Sequence, residues 1–402
     1  MRYVIIGASA AGCRAAETLR RYAPESHITV VSEEVRPLYS RPLLTYLLSG
    51  EVSPDQVWLQ GEDWFSRWNL TPVLGEPVVR VDPKAREVRL ASGSVISYDR
   101  LLVASGARPR LPGIPGEDLP GCFTLRTLAD WQRLERDLPP EGPVAVVGAG
   151  AVGLKAAEAL VHRGHKVVLL EAESRALPRM LDEAAAALLH RALARLQVEL
   201  RLDSRPLAVL EEKRRVRALA LAEGREIPAA AVLFATGVLP NVDFLKDTGL
   251  VGEDGLTVDS HLRTADPHIY AAGDCTRAPH FLTGKPAYYP IWPGAVAQGG
   301  VAGANLAGAG LNYGGVLPQN SVSLSGFHLI TGGLSPLEAG EGCEVVTEGD
   351  PHRGQWRQLV YRQGRLVGLT FVGAVEDAGL HFQLMAQQLP MSAPVTPGRL
   401  WG

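Results

Sequence analysis

The sequence predicts an α/β fold in which two Rossmann-like dinucleotide-binding units are followed by a small α+β domain. Three observations predict it. The apolar run Tyr3 to Ile6 breaks at Gly7 into a small-residue turn, GASAAG, that opens a helical stretch. A second run, VAVV, breaks at Gly148 into GAGAVG in the same way. Each turn leads to an acid-ended strand, a meander and a returning apolar strand, LLVASG from Leu101 and AVLFATG from Ala231. Branched apolar runs bounded by Gly read as buried parallel strands, and the recurrence of the whole pattern reads as an internal duplication.

The chain's 402 residues suffice for two or three domains, each with its own core. A net charge of −3 argues against a nucleic-acid binder. Cys13, Cys122, Cys275 and Cys343 lie far apart and form no C-x-x-C pair. Neither a zinc or iron–sulfur site nor a neighbouring-cysteine redox pair is expected, so no metal is assigned. A reducing, cytoplasmic location follows from that cysteine usage and from an N-terminus that enters a strand with no signal-peptide pattern. The stretch 286–337 has no Asp, Glu, Lys or Arg, but Pro290, Pro293, Gln298, Asn305 and Pro318 interrupt it. It reads as a buried helix plus a buried strand rather than a membrane span.

In chain order, Gly7, Ser9 and Gly12 follow the first strand at the spacing of a G-x-G-x-x-G turn, with Ser9 in place of the middle Gly, and Ala10 to Tyr22 reads as a helix. Free N–H groups and the positive helix end then converge on one anion-binding spot. The strand HITVVS ends at Glu33 and Glu34. An acid there accepts hydrogen bonds from a ribose diol, Glu33 being the first choice and Glu34 the second; a solvated acidic pair is the alternative. Pro37 and Pro42 mark a loop that feeds a short helix at Arg41, whose guanidinium clamps a phosphate or caps the helix. From Val78 to Ser105, the turn signals Asp82-Pro83 and Ser92-Gly93 divide a small antiparallel meander from a buried strand. The segment from Ala107 to Pro120 reads as a linker.

The second unit carries the full fingerprint, Gly148, Gly150 and Gly153, then a strand from Lys166 to Leu170 that ends in Glu171. Strand, turn, helix, strand and acid in this order are the context the motif requires. Glu171 favours NADH by repelling a 2′-phosphate, while the nearby Arg175 leaves NADPH open. Asp182 caps a helix to Leu196. Gly273-Asp274 ends a short strand, and an Asp so placed can accept bonds from a polyol. Pro290 to Gly308 reads as a helix of small residues, and VSLSGFHLIT, WRQLVYR and RLVGLTFVG as strands of the last domain, with a helix near Gly379 to Gln388. The expected division is 1–112 and 236–310 for the first unit, 113–235 for the second and 311–402 for the α+β domain.

Seven motifs carry a resemblance: GASAAG at Gly7, YSRPLL at Tyr39, TLRTLAD at Thr124, GAGAVG at Gly148, ATGVLPN at Ala235, IYAAGD at Ile269 and WPGAVAQG at Trp292. Together they resemble the FAD- and NAD(P)-dependent pyridine nucleotide-disulfide oxidoreductases of the glutathione-reductase fold, over nearly the whole chain. The pattern is most similar to NADH-dependent reductases of rubredoxin, ferredoxin and putidaredoxin, and to the flavin portion of nitrite reductase. The resemblance implies that Gly7, Ser9, Ala11 and Gly12 hold the FAD pyrophosphate and that Glu33, or Glu34, holds its ribose. It implies that Val78 meets adenine, that Arg41 and Arg126 contact FAD, that Gly273 and Asp274 hold the ribityl chain, and that the Trp292 backbone meets the pyrimidine edge. Gly148, Gly150, Val152, Gly153 and Glu171 would hold NADH, with the turns at Ala104, Ser105, Gly106 and Gly237 joining the cofactor sites.

Two departures from the family pattern matter. The stretch from Tyr39 to Tyr46 has no cysteine where thiol-using relatives carry one, so thiol–disulfide chemistry is not expected. Tyr46 and Lys155 stand where many relatives pair a Lys with a Glu. Lys155, with Tyr46, is the candidate catalytic pair, supplying positive charge near flavin N5; a lysine that merely reaches solvent is the alternative. The implied activity is hydride transfer from NADH to flavin, then electron transfer to a small redox protein such as rubredoxin or ferredoxin. An O2-reducing NADH oxidase, a flavoprotein component of a nitrite reductase system and a slow redox sensor are the alternatives. A homodimer through the last domain stays open.

Overall fold

The structure, a computed structural model, describes residues 1–36 and 38–390. It divides into two compact units: Met1–Ser40, Pro54–Arg108 and Val238–Leu317 form the first, while Arg41–Ser53, Pro109–Gly237 and the chain from Pro318 form the second. The short segment Arg41–Ser53 thus groups with the second unit, although it lies within the expected span 1–112.

The first unit is built on a five-stranded parallel sheet in the order Ile269–Ala271, Arg100–Val103, Arg2–Ile6, His27–Ser32, Thr71–Leu74. Val4, Ile5, Val30 and Leu102 are almost wholly buried, as a parallel sheet covered on both faces requires. Register sets Ile6 beside both Val31 and Val103. The chain leaves this sheet after Val103 and returns to its edge only at Ile269, which brings Gly273-Asp274 back to the first turn. The antiparallel meander Val78–Asp82, Glu87–Leu90, Val95–Ser97 lies between the third strand and Arg100–Val103 in sequence.

Helix Ala10–Tyr22 buries Ala11, Cys13, Ala15, Ala16 and Leu19, and Arg20 and Arg21 complement the dipole in its last turn. Helix Trp292–Leu306 packs along it without intervening side chains. A Cβ at Gly299 would stand 2.3 Å from the Ala11 carbonyl oxygen, and one at Gly303 would stand 2.4 Å from that of Ala15. This close approach explains the small-residue composition of the second helix. Two polar residues that interrupt it are pins: Asn305 Nδ2 donates to the carbonyls of His261 and Leu311 and its Oδ1 accepts from the Leu311 N–H, and Gln298 serves the first site below.

The second unit has its own parallel sheet, ordered Glu199–Arg201, Val167–Leu170, Val144–Val147, Ala231–Phe234, Cys122–Phe123. Helix Ala151–His162 follows the Gly148 turn, and Asp182 caps helix Glu183–Arg195 by accepting the Ala185 N–H at 2.8 Å. The meander here is Ala208–Glu212, Arg215–Ala220, Glu226–Pro228. The C-terminal part forms an antiparallel sheet ordered Gln319–Leu324, Phe327–Gly333, Arg365–Val372, Trp356–Arg362, Cys343–Glu348, against which helix Ala378–Gln387 sets His381 edge-on to Phe371.

Two expectations need correction. VSLSGFHLIT is not one strand but a hairpin that turns at Ser325-Gly326, with Gly326 at φ +79°. Its first strand, Gln319–Leu324, buries only alternate side chains, Val322 and Leu324 among them, so it is half-exposed rather than buried. Among the described residues no helix is long and apolar enough to cross a membrane.

Candidate cofactor sites

Gly7 ends the first strand at φ +109°, and its N–H donates to the Val31 carbonyl at 2.7 Å. A Cβ at Gly7 would stand 2.2 Å from the Ala104 carbonyl oxygen, and one at Gly12 would stand 1.9 Å from that of Gly7. Only glycine permits the turn to close this tightly. Ser9 is the extended N-cap of the helix, its side chain does not cap, and the first turn holds no acid. The leading N–H groups of a helix lack intrahelical acceptors, so they remain donors for an anion.

Three further segments complete the first site. Ala104 donates its N–H to Ile6, Ser105 Oγ donates to the Asn241 carbonyl at 2.6 Å, and Gly106 accepts the Asn241 N–H at 2.9 Å. Gly273, at φ +85°, lies so close to the helix that its Cβ would stand 3.0 Å from that of Ala11. Asp274 is therefore brought beside the opening turn of Ala10–Tyr22. The sequence reading missed Gln298, which fixes this approach. It is 3% exposed, and its Oε1 accepts from the Gly273 N–H at 2.7 Å and the Thr276 hydroxyl at 2.9 Å. Its one signal in the sequence is a polar side chain in an otherwise small, apolar helix. Trp292 starts that helix, with Pro293 in its first turn. Glu33 and Glu34 lie just past strand His27–Ser32, and Val78 pairs with Leu90 in the meander.

The second site repeats the first. Gly148 has φ +105°, its N–H donates to Leu170 at 2.7 Å, and its Cβ would stand 2.5 Å from the Ala235 carbonyl oxygen. A Cβ at Gly153 would stand 1.9 Å from the Gly148 oxygen. Gly150 differs: a Cβ there would meet nothing within 4 Å. Protein packing does not explain this glycine. Val152, on the first turn of the helix, is largely exposed, and Gly237, at φ +100°, accepts the Arg110 N–H. The two carbonyls that receive the glycine N–H groups, Val31 and Leu170, show that Ser32 is level with Glu171 and Glu33 with Ala172. The acid of the first unit sits one residue further along.

Glu171 is buried, and its carboxylate is engaged at both oxygens. Oε2 accepts the Ala149 N–H at 2.8 Å and Oε1 the Glu173 N–H at 3.1 Å, so the acid braces the glycine turn itself. Arg175 is turned to the loop, donating to the carbonyls of Leu181 and Pro178.

Four more predicted residues meet in pairs within the second unit. Arg41 Nη1 donates to the Arg126 carbonyl at 2.9 Å, and Asp130 accepts the Arg126 N–H. Lys155 Nζ lies over the Tyr46 ring, donates to the Ser323 carbonyl at 3.0 Å and pairs with Glu158. Its side chain is 15% exposed, so the ammonium does not trail into solvent. Glu158, absent from the sequence reading, also accepts the Ser325 N–H at 2.7 Å and hydroxyl at 3.0 Å. Burial raises its carboxyl, but the bonds from Lys155 and Ser325 outweigh burial and hold it below the usual range. The buried thiols are inert: burial pushes Cys13 far up, and Cys122 and Cys275 up to about 11.

Two parallel α/β sheets, each with a glycine cradle and an acid at the next strand end, define a two-dinucleotide oxidoreductase. The model of the family described as pyridine nucleotide-disulphide oxidoreductase matches residues 1–299. The chain is 33% identical to the NADH-dependent phenylglyoxylate dehydrogenase subunit epsilon of Aromatoleum evansii, over 97% of this chain and 93% of that one. It is 31% identical to rhodocoxin reductase of Rhodococcus erythropolis, over 98% and 91%. A solved ferredoxin reductase from Rhodopseudomonas palustris superposes with a TM-score of 0.86 at 28% identity, each chain covered to 95%. The chain therefore belongs to the pyridine nucleotide-disulphide oxidoreductase family and is an FAD-dependent NAD(P)H oxidoreductase.

Proposed function

We propose that the Gly7 cradle holds FAD, that the Gly148 cradle holds NADH, and that the protein passes hydride from NADH to flavin and electrons onward to a small redox protein of rubredoxin or ferredoxin type. One observation carries the reading. Two cradles of matched geometry are present, yet no cysteine stands between Tyr39 and Tyr46 and the buried thiols are held protonated. Bound FAD supplies the step from two-electron to one-electron chemistry. The protein supplies the rest. N–H groups at Ser9, Ala11 and Gly12 face the FAD pyrophosphate, with Glu33 or Glu34 at its ribose, Val78 at adenine and Asp274 at the ribityl chain. The turns at Ala104, Ser105, Gly106 and Gly237, the Trp292 backbone, Arg41 and Arg126 complete the cofactor contacts. Gly150 and Val152 face the NADH pyrophosphate. Lys155, steadied by Tyr46, gives the nicotinamide-facing side a fixed positive charge. The relatives' names, a rhodocoxin reductase and a ferredoxin reductase, support a protein acceptor. The division 1–112, 113–235, 236–310 and 311–402 and a cytoplasmic location belong to the same reading.

The test is side-by-side reduction of rubredoxin, ferredoxin and O2 by the purified flavoprotein with NADH. Faster reduction of one carrier than of O2 is expected. Rapid NADH consumption in air without a carrier would replace this reading by an oxidase, and failure of NADH to bleach the flavin would overturn it.

A further inference from the structure

The glycine turn of the second unit is backed by a loop that hangs from a histidine. Past Glu171 the chain runs through residues 172–181 before helix Glu183–Arg195 begins. Ala176 and Leu177 are buried within this loop. The Leu177 N–H donates at 3.1 Å to the carbonyl of Ala149, which lies inside the Gly148 turn. Leu177 stands at φ +50°, a left-handed conformation disfavoured for leucine, so its contacts must hold it there. Its carbonyl accepts the N–H groups of Met180 and Leu181 at 2.9 and 3.0 Å. The Ala176 N–H finds its acceptor on the helix, His190 Nε2, at 3.2 Å. One imidazole thus fixes the residue next to the loop's contact with the turn.

A ring nitrogen accepts an N–H only while it is unprotonated; in the imidazolium both nitrogens are donors. Protonated His190 would set donor against donor and strand the buried Ala176 N–H. We propose that His190 is a positioning residue for the pyridine nucleotide: its neutral ring seats loop 172–181 behind the Gly148 turn, and its protonation releases that loop and weakens nucleotide binding in acid. This rests on reading the Gly148 cradle as the NADH site. Burial holds the imidazole below its ordinary value. The charged groups on the surrounding elements are engaged elsewhere. Glu171 accepts from Ala149 and Glu173, Glu173 pairs with Arg205, and Arg175 donates to Leu181 and Pro178. Asp182 accepts from Ala185, Trp356 and Gln358, Arg191 donates to Pro351, Asp350 pairs with Arg353, and Glu199 with Arg201. Arg179, Glu183, Arg195 and His352 are exposed. With a lowered folded value, the support from His190 is complete above the ordinary histidine range and is lost as pH falls through the folded value.

The experiment is calorimetric binding of ADP-ribose to the FAD-loaded protein between about pH 8 and about pH 5. ADP-ribose carries the pyrophosphate and has no group that titrates in this window. Wild-type affinity is expected to fall about fivefold on acidification, the worth of one hydrogen bond. His190→Gln, whose amide oxygen accepts an N–H without titrating, is expected to keep the high affinity across the range. His190→Leu is expected to bind at the acid level throughout. A flat wild-type profile, a wild-type slope in His190→Gln, or undiminished affinity in His190→Leu overturns the proposal. Absence of ADP-ribose binding at every pH overturns the reading of the cradle beneath it.

Discussion

The ammonium of Lys155 lies 4.7 Å from the centre of the Tyr46 ring. The contact joins two residues about a hundred positions apart. A desolvated cation over an aromatic face is worth about 1–2 kcal/mol, and here Glu158 and the Ser323 carbonyl hold the same ammonium. The charge is thus fixed in position rather than carried on a flexible stem. Lys155→Glu is expected to slow flavin reduction by NADH about tenfold in stopped flow, with Tyr46→Leu giving a smaller loss. An unchanged rate in Lys155→Glu would remove Lys155 from the reaction.

Glu158 couples this arrangement to pH. Its carboxyl is lowered in the folded protein, so the stability it gives is present above the unfolded value and is lost as pH falls through the folded one. Denaturant unfolding of the wild type between pH 7 and pH 3 should include this loss, and Glu158→Gln should flatten that part of the profile. At neutral pH the same variant is expected to cost about 3 kcal/mol, because Lys155 stays buried without its counter-charge.

The three glycines of the second turn should separate packing from ligand space. Gly153→Ala forces a Cβ to 1.9 Å from a carbonyl oxygen and is expected to lower Tm by several degrees. Gly150→Ala places a Cβ with no protein atom within 4 Å, so it should keep Tm nearly unchanged while raising KM for NADH tenfold or more. Equal thermal losses in the two variants would contradict the assignment of that space to a pyrophosphate.

Gln298→Leu strands the Gly273 N–H in the interior, while the Thr276 hydroxyl keeps the Gly273 carbonyl as its acceptor at 2.8 Å. A cost of about 1–3 kcal/mol is expected for a buried donor left unpaired, together with weaker FAD retention on gel filtration. Restored retention in Gln298→Glu, which keeps the acceptor oxygen, would tie the effect to that hydrogen bond rather than to packing.

The buried thiols give a simple check on the chemistry. Cys13, Cys122 and Cys275 are held protonated well above neutral pH, so the native protein should resist alkylation at these positions at pH 8. All four cysteines should react once guanidinium unfolds the chain. Fast labelling of any of the three in the native state would reopen a thiol mechanism.

The sheets and both cradles were legible because their demands are local. Gly7, Gly12, Gly148 and Gly153 lie where a Cβ collides with backbone, and that requirement shows directly as residue spacing. Gln298, Glu158 and Ser325 were not legible, because each takes its meaning from a partner distant in sequence. The hairpin at Ser325-Gly326 was read as one strand because apolar residues on both arms masked a two-residue turn signal. Arg175 lies close to Glu171 in sequence, and the fold turns its guanidinium to the carbonyls of Leu181 and Pro178, partners that sequence spacing alone does not reveal.

The contact of Gly299 and Gly303 with the carbonyls of Ala11 and Ala15 behaves as a mechanical stop. Where side chains separate two helices, rotamer changes can absorb a displacement; here main chain bears on main chain and no compliant layer exists. The spacing between the helix that presents Asp274 through Gln298 and the helix that opens the first turn is therefore a constant of the fold. Variation elsewhere in this unit can retune charge or partner preference without altering that dimension, whereas a single methyl group at either glycine would have to move both ends of the first site together.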